Sequence, residues 1–260
     1  MLTSEVLFAS NGPVAFLTFN RPAARNALTW AMYDALAQAC DRVDADQNIR
    51  VFVLRAAGEA FAAGTDISQF TEFASADDGI AYERRLDAVI DRLERVTVAT
   101  IAQVQGVAAG GGCAIALACD LRVCTPAARF GVPIARTLGN CLSAANYARL
   151  IDLIGPARTK DLLFTGRLID AAEAESLGLI TRMADPREID DAVRDLAQTI
   201  AANAPLTIRA TKEAIRRIAV QRRLDGSQAD DLIALCYASL DFREGVAAFL
   251  ARRPPRFTGR

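Results

Sequence analysis

Three consecutive glycines, Gly110, Gly111 and Gly112, stand between two apolar runs whose patterns predict a strand and a helix. The strand is predicted over residues 100–105 and the helix over residues 111–119. A strand that enters a helix through glycines exposes backbone N–H groups and the positive end of the helix dipole, which together favour a negatively charged ligand. Alternatively, the glycines allow the helix to pack closely on the sheet, which would explain three residues that each cost about 1 kcal/mol in a helix relative to alanine.

A second glycine loop, Gly64-Thr65-Asp66, follows the predicted strand at residues 50–55. If the two strands are neighbours, N–H groups from both loops can converge on one oxygen atom, as in an oxyanion hole. A nucleotide site is the competing interpretation, but the glycines form neither G-x-G-x-x-G nor a G-K-[ST] loop. Asp66 also has a purely structural interpretation, because Asp66 followed by Gln69 fits a helix capping box.

The chain contains no histidine. A Ser-His-Asp or Cys-His nucleophile is therefore impossible, and so is a histidine metal site. Any acid or base must be a carboxylate, thiol, phenol, amine or a group of the substrate. No metal site is expected.

Composition is typical of one globular domain with a large core, with 52% hydrophobic and 23% charged residues among 260. A formal net charge of -1 and a pI near 5.7 give no electrostatic reason to bind nucleic acid or an anionic membrane. The uncharged segment 96–119 is interrupted by glycines, which favours a buried strand and helix over a membrane span. Six cysteines without a C-x-x-C pair, and a start that lacks a signal-peptide pattern, predict reduced thiols and a cytoplasmic location.

Strands and helices alternate in the first half of the chain, which predicts a layered α/β domain. A hairpin is expected at residues 5–10 and 14–19, with helices at 28–43 and 81–95 and a strand at 121–125. The second half is predicted to be helical, with segments at 144–154, 156–164, 170–177, 186–202, 205–220, 227–240 and 243–251.

Six blocks of this chain, in order and spacing, resemble the crotonase (enoyl-CoA hydratase/isomerase) superfamily. They are RPAARNAL (21–28), FAAGTDI (61–67), QGVAAGGGC (105–113), CD (119–120), TGRLIDAAEAESLGL (165–179) and REGVAAFLARRPPRFTGR (243–260). The resemblance implies an α/β fold built as a spiral of ββα units, with a core over residues 1–200 and a C-terminal helical trimerisation region over residues 201–260. It also implies a homotrimer or a dimer of trimers.

The resemblance further implies coenzyme A thioesters as substrates, with coenzyme A as part of the substrate and no separate cofactor. The N–H groups of Thr65 and Gly111 would hold the thioester oxygen while an enolate forms. Residues along the path of the coenzyme would be Arg25, Ala27, Ala63, Gly64, Asp66, Ile67 and Gly112. The expected enzyme is a lyase or isomerase of the enoyl-CoA hydratase/isomerase type.

The chain departs from the hydratases of that family at both positions where they carry a catalytic glutamate. Ala114 occupies the first position and Ile134 the second, and residues 121–151 contain no Asp or Glu. Positioned acid–base catalysis contributes roughly 10²- to 10⁴-fold, so ordinary water addition is expected to be very slow. Four acidic residues could replace the missing acid, although exposed helix faces are the favoured interpretation for them: Glu72, Asp77, Asp78 and Glu83.

Arg136 lies in the loop that follows the second of these positions, where a guanidinium could bind a substrate carboxylate in a bidentate manner. This suggests a malonyl-type thioester, because loss of carbon dioxide forms an enolate without a base. The alternatives for Arg136 are solvent or a subunit contact. Three functions therefore remain: a hydratase or isomerase with an unrecognised acid, a decarboxylase without a base, and a non-catalytic acyl-CoA binder.

Overall fold

The computed structural model describes residues 4–71, 73–222 and 226–260. Within these ranges the strands are β1 Val6–Asn11, β2 Val14–Phe19, β3 Val51–Ala56, β4 Ala99–Val104, β5 Val107–Ala109, β6 Leu121–Cys124, β7 Arg129–Gly131, β8 Ile169–Asp170 and β9 Arg182–Met183. The helices are α1 Trp30–Ala45, α2 Ala76–Glu94, α3 Gly111–Ala118, α4 Ile134–Thr137, α5 Ala144–Thr165, α6 Ala171–Ser176, α7 Ile189–Ala201, α8 Pro205–Val220, α9 Asp230–Tyr237 and α10 Leu240–Leu250.

The larger sheet has six strands in the order β1-β2-β3-β4-β6-β9. The predicted hairpin is confirmed, since β1 and β2 pair antiparallel, and the remaining neighbours pair parallel. In the pair β3–β4, Val51 lies opposite Ala99, and all six residues of β4 are buried. Continuous burial is typical of a parallel strand covered on both faces.

Alternate side chains of the central strands enter two separate cores. Phe52 and Leu54 of β3 join the main core together with residues of α1, α2 and α3, whereas Val51 and Val53 point to the opposite face. There they pack against α7 through Val193 and its neighbours. The sheet is therefore covered by helices on both faces, which confirms the predicted α/β class.

A second sheet of three strands, in the order β5-β7-β8, carries the glycine loop. Its strands have only two or three residues each, and the sequence analysis did not predict them. β5 pairs parallel with β7, and β7 pairs antiparallel with β8. This small sheet matters because β5 ends directly before Gly110.

The helical second half is confirmed. The predicted helices at 144–154 and 156–164 both lie in α5, where a kink at Gly155, whose φ is 75°, separates them. The strands β8 and β9 interrupt the helices and extend the two sheets. α7 ends at Ala201, next to the expected boundary of the C-terminal region; that boundary stays a prediction. No helix in the described ranges is long and apolar enough to cross a membrane.

Arg122 of β6 is a buried cation at the carboxyl-terminal end of α3. Its guanidinium donates to the backbone oxygens of Ala116 at 3.2 Å and Cys119 at 2.6 Å. The adjacent Asp120 carboxylate accepts from Lys212 of α8 at 2.7 Å and from the Thr100 amide at 2.7 Å. The far end of α3 is thereby fixed to the sheet and to α8.

Candidate active site

The two glycine loops lie side by side, as the order of their strands predicts. Ala62, upstream of Gly64, pairs with Ala108 of β5, and the Ala109 amide donates to the Ala62 carbonyl at 2.9 Å. Backbone hydrogen bonds thus hold the loop of Gly64 against the strand that leads into Gly110.

Positive φ angles at Gly64 and Gly110 set the direction of the two loops. Gly64 has a φ of 124° and Gly110 a φ of 49°, a region that side chains disfavour. A β-carbon at Gly110 would lie 3.6 Å from the Gly64 Cα atom, so the loops are in contact. Gly110 is the N-cap of α3 and turns the chain so that Gly111 begins the helix.

The residues that follow these two glycines are Thr65 and Gly111, whose amides are the pair expected from the sequence. Neither amide donates a hydrogen bond to another residue within the described ranges. Both residues line one cavity of about 500 Å³. Free donors on two neighbouring loops are suited to hold one oxygen that gains negative charge.

The Thr65 side chain is anchored by two phenol groups. Its Oγ1 atom lies 2.8 Å from Tyr33 Oη of α1 and 2.8 Å from Tyr82 Oη of α2. A β-carbon at Gly111 would overlap the same Tyr33 hydroxyl and would lie 3.1 Å from Thr65 Oγ1. Packing therefore requires glycine at position 111, which supports the close-packing interpretation of the glycine run at this residue.

Six of the residues assigned to the coenzyme path line this cavity: Arg25, Ala27, Ala63, Gly64, Asp66 and Ile67. Gly112 is not among the residues that line the cavity, and its assignment to the coenzyme path stays a prediction. Gly112 is buried against Ala62, whose Cβ atom would lie 2.6 Å from a β-carbon at position 112. Its function is close packing of α3 on the neighbouring loop.

Asp66 caps a 3-10 turn, Ile67–Phe70, rather than an α-helix. Its side chain accepts from the Ser68 amide at 3.1 Å and from Arg21 at 2.7 Å. Burial opposes ionisation, but these hydrogen bonds outweigh it and lower the pKa of Asp66. The predicted capping box is absent, because the Gln69 side chain contacts Trp30 and Leu28 instead. Asp66 is thus an ionised carboxylate at the cavity wall whose negative charge is balanced by Arg21.

Apolar side chains cover much of the remaining wall, and Ala114 and Ile134 are among them. They are joined by Leu86, Val132, Leu138 and Leu142. Asn140 lines the same cavity; its Oδ1 atom is buried without a hydrogen-bond partner among the described residues.

Glu83 of α2 is the functional candidate that the sequence analysis placed wrongly. Its favoured location was an exposed helix face, but its side chain is buried, with 1% exposure, and lines the cavity. Oε1 accepts from the Tyr237 hydroxyl at 2.7 Å and Oε2 from the Ser143 amide at 2.9 Å. The interpretation of Glu83 as part of an exposed helix face is therefore wrong.

The environment of Glu83 favours the neutral acid. Burial raises the pKa of Glu83 to about 8, with a further increase from the Asp87 carboxylate, while the hydrogen bonds from Tyr237 and Ser143 oppose the shift. The periodicity of α2 contains the signal that could have located it, because Glu83 falls in the stripe of buried positions with Tyr82 and Leu86.

Three of the other charged candidates, Asp77, Asp78 and Arg136, are not part of the cavity wall. Asp77 is exposed, and Asp78 closes the capping box of α2 with Ser75. Glu72 lies outside the described residues. Arg136 is exposed on α4 and is not part of the cavity wall, so its predicted contact with a substrate carboxylate has no support from this arrangement.

Comparisons with known proteins agree with this architecture. The model of the enoyl-CoA hydratase/isomerase family matches residues 9–260. The chain therefore belongs to the enoyl-CoA hydratase/isomerase family. It is 36% identical over 253 residues to a putative enoyl-CoA hydratase of Thermus thermophilus, which covers 95% of this chain and 98% of that protein.

Solved members of the family confirm the predicted crotonase fold. A putative enoyl-CoA hydratase/isomerase family protein from Hyphomonas neptunium is 37% identical, with a TM-score of 0.79, over 100% of this chain and 99% of that one. A methylmalonyl-CoA decarboxylase complexed with 2S-carboxypropyl CoA is 26% identical and covers 100% of both chains, with a TM-score of 0.91. Its backbone overlaps this chain more closely, although its sequence is less similar.

Proposed function

We propose that this enoyl-CoA hydratase/isomerase family member converts acyl-CoA thioesters through an enolate held by the amides of Thr65 and Gly111. The observation that carries the proposal is the pair of unpaired N–H groups, on touching loops, at the wall of a largely apolar cavity. Removing one such donor costs roughly 10²- to 10³-fold in kcat in enzymes of this kind. The coenzyme would enter past Arg25, Ala27 and Ile67, which line the same cavity.

Polarisation of the thioester carbonyl tests this proposal without requiring turnover. Infrared difference spectra of butyryl-CoA labelled with ¹³C at the carbonyl should show the stretch at lower wavenumber when the chain is bound. The matched ligand is the thioether S-butyl-CoA, which has no carbonyl and should bind more weakly. An unshifted stretch in a saturated complex would refute the enolate site.

Decarboxylation of a malonyl-type thioester is a second candidate, and the close overlap with methylmalonyl-CoA decarboxylase favours it. In that reaction the bond from the α-carbon to the carboxylate breaks, carbon dioxide leaves, and the electron pair forms the enolate. The apolar side chains of Ala114 and Ile134, at the positions where the resemblance predicts hydratase glutamates, argue against efficient hydration.

Parallel assays with three thioesters separate the candidates. Crotonyl-CoA reports hydration, 3-hexenoyl-CoA reports double-bond isomerisation, and methylmalonyl-CoA reports decarboxylation. We expect isomerisation or decarboxylation to exceed hydration. Tight binding of all three without conversion of any would leave the acyl-CoA binder as the function.

We also propose a cytoplasmic homotrimer or dimer of trimers. Large apolar side chains are exposed on the helices of the second half, as a subunit interface requires: Phe164, Leu206, Ile215, Ile218, Leu235 and Leu240. Light scattering on eluted protein would measure the mass, and a monomer at micromolar concentration would contradict this assembly.

A further inference from the structure

Two acidic residues line the cavity within the described ranges, and their environments differ. Asp66 is tied to Arg21 and Ser68 by charge-assisted hydrogen bonds. Glu83 has 1% exposure and no basic side chain among its hydrogen-bond partners. A carboxyl group in such surroundings gains and loses a proton more readily near neutral pH than an ion-paired one.

The two hydrogen bonds to Glu83 leave part of the carboxyl group available. A carboxylate offers about four lone-pair positions, and Tyr237 and Ser143 use one on each oxygen. Each oxygen therefore keeps a position that can carry a proton. Glu83 belongs to the cavity wall, beside the space that a ligand would occupy.

Tyr237 and Asn140 fix the orientation of the carboxyl group. The Asn140 side-chain amide donates to the Tyr237 hydroxyl at 3.0 Å, so this hydroxyl directs its own proton towards Glu83 at 2.7 Å. The ring of Tyr237 packs against Phe242, with centroids 4.7 Å apart. Hydrogen bonds from Asn140, in the loop before α5, to Tyr237 of α9, and from Tyr237 to Glu83 of α2, thus hold the Glu83 carboxyl group in place.

We propose that Glu83 is the proton carrier of this cavity, exchanging one proton with the carbon atom of a thioester enolate, and that Tyr237 and Asn140 are its positioning residues. The inference rests on the proposed function, because it requires the enolate held by Thr65 and Gly111. Ala114 and Ile134 have no group that can transfer a proton, and Glu83 would take this role.

The step needs Glu83 and, after decarboxylation, one water molecule. In the forward direction the O–H bond of the acid breaks, the enolate electron pair forms a C–H bond, and Glu83 remains as a carboxylate. After decarboxylation, a water molecule returns a proton to Glu83, and the hydroxide that remains combines with the released carbon dioxide as hydrogencarbonate. In isomerisation, the carboxylate first takes a proton from the α-carbon and then returns it at the γ-carbon, so no other reactant is needed.

The proton on Glu83 is influenced by groups on every element packed around it. These are Tyr33 of α1, Tyr82 and Asp87 of α2, Cys141 of the loop before α5, Tyr147 of α5 and Tyr237 of α9. Burial raises the pKa of each of the four phenols, so they stay neutral donors at neutral pH. Abstraction of a proton by the Glu83 carboxylate should therefore increase with pH, with a midpoint near the pKa of about 8.

Hydrogen–deuterium exchange at the α-carbon of butyryl-CoA in D₂O, followed by mass spectrometry, measures this step directly. Glu83→Gln should lower the exchange rate by roughly 10²- to 10⁴-fold, with the shift of the ¹³C carbonyl stretch retained. The matched control is Glu59→Gln, the same exchange at an exposed residue. Glu59 is not part of the cavity wall, so exchange should stay within a few-fold of wild type.

Tyr237→Phe distinguishes positioning from a structural effect. Loss of a hydrogen bond that opposes the raised pKa should move the midpoint of exchange to higher pH. Two results would overturn the proposal for Glu83. One is an exchange rate in Glu83→Gln equal to that of wild type while the carbonyl shift is retained. The other is a wild-type chain that shifts the carbonyl stretch but exchanges no α-hydrogen. An unshifted wild-type carbonyl would instead refute the enolate site itself.

Discussion

Replacing Glu83 by glutamine should stabilise the fold as the pH rises. The pKa of this carboxyl is about 8 in the folded chain, against the ordinary glutamate value of 4.5 expected in the unfolded chain. Below about pH 4.5 Glu83 is protonated in both the folded and the unfolded chain, and its contribution to the free energy of unfolding is largest. Between about pH 4.5 and about pH 8 this contribution decreases, because Glu83 ionises in the unfolded chain while it stays protonated in the folded chain. The loss is about 1.4 kcal/mol per pH unit, or about 3 kcal/mol at pH 7.

Glutamine has nearly the same shape and no charge, so the variant avoids this loss. Any constant cost of the exchange, such as an altered hydrogen bond to Tyr237 or Ser143, is independent of pH. The diagnostic quantity is therefore the difference in unfolding free energy between Glu83→Gln and wild type, which should increase between about pH 5 and about pH 8 by about 4 kcal/mol.

Urea unfolding at a fixed protein concentration, followed by the fluorescence of the single tryptophan, Trp30, measures this difference. Glu59→Gln is a suitable control, because Glu59 is exposed and its replacement should leave the pH dependence unchanged. If Glu83→Gln and wild type gave parallel stability curves across this range, Glu83 would ionise in the folded chain as in the unfolded one, and the argument for a neutral buried acid would fail.

Three further predictions concern neighbouring residues. Gly111→Ala should destabilise the fold by about 1–3 kcal/mol through overpacking. Tyr33→Phe should relieve part of this cost, because it removes the hydroxyl that the new methyl group meets. Strictly additive changes in unfolding free energy in the double-mutant cycle would contradict this prediction. Arg136→Ala should leave thioester turnover unchanged, because its exposed side chain is outside the cavity; a large loss of kcat would restore the predicted carboxylate contact. Cys236 should react first with iodoacetamide in peptide mapping, because a hydrogen bond with Cys141 lowers the pKa of Cys236 to about 7 and the other five cysteines are buried; first labelling at any buried thiol would contradict this.

The proximity of the two glycine loops could be predicted because the strands predicted before them, β3 and β4, are neighbours. Strands β3 and β4 have the continuous apolar pattern of buried parallel strands, and the loops that follow neighbouring parallel strands meet at one edge. The strands β5 and β7 were not predictable, since Val107–Ala109 and Arg129–Gly131 are too short to show a period and find each other only in the folded chain.

The location of Glu83 was predictable in part. Its spacing from Tyr82, Leu86 and Ile90 is that of the buried stripe of α2, but an acidic residue in such a stripe is uncommon, and composition favours exposure. What decides burial is Tyr237, which lies 154 positions later and provides the hydrogen bond. No local pattern contains a partner so distant in the chain.

The buried guanidinium of Arg122 holds the carboxyl-terminal end of α3, the helix whose first residue is Gly111. α3 has eight residues, so its two ends are separated by about 12 Å. A shift of α3 along its axis would break the hydrogen bonds from Arg122 to the backbone oxygens of Ala116 and Cys119. A substitution at Ala114, on the side of α3 that lines the cavity, would therefore leave these hydrogen bonds in place, whereas Arg122→Lys would weaken them at the opposite end of the helix.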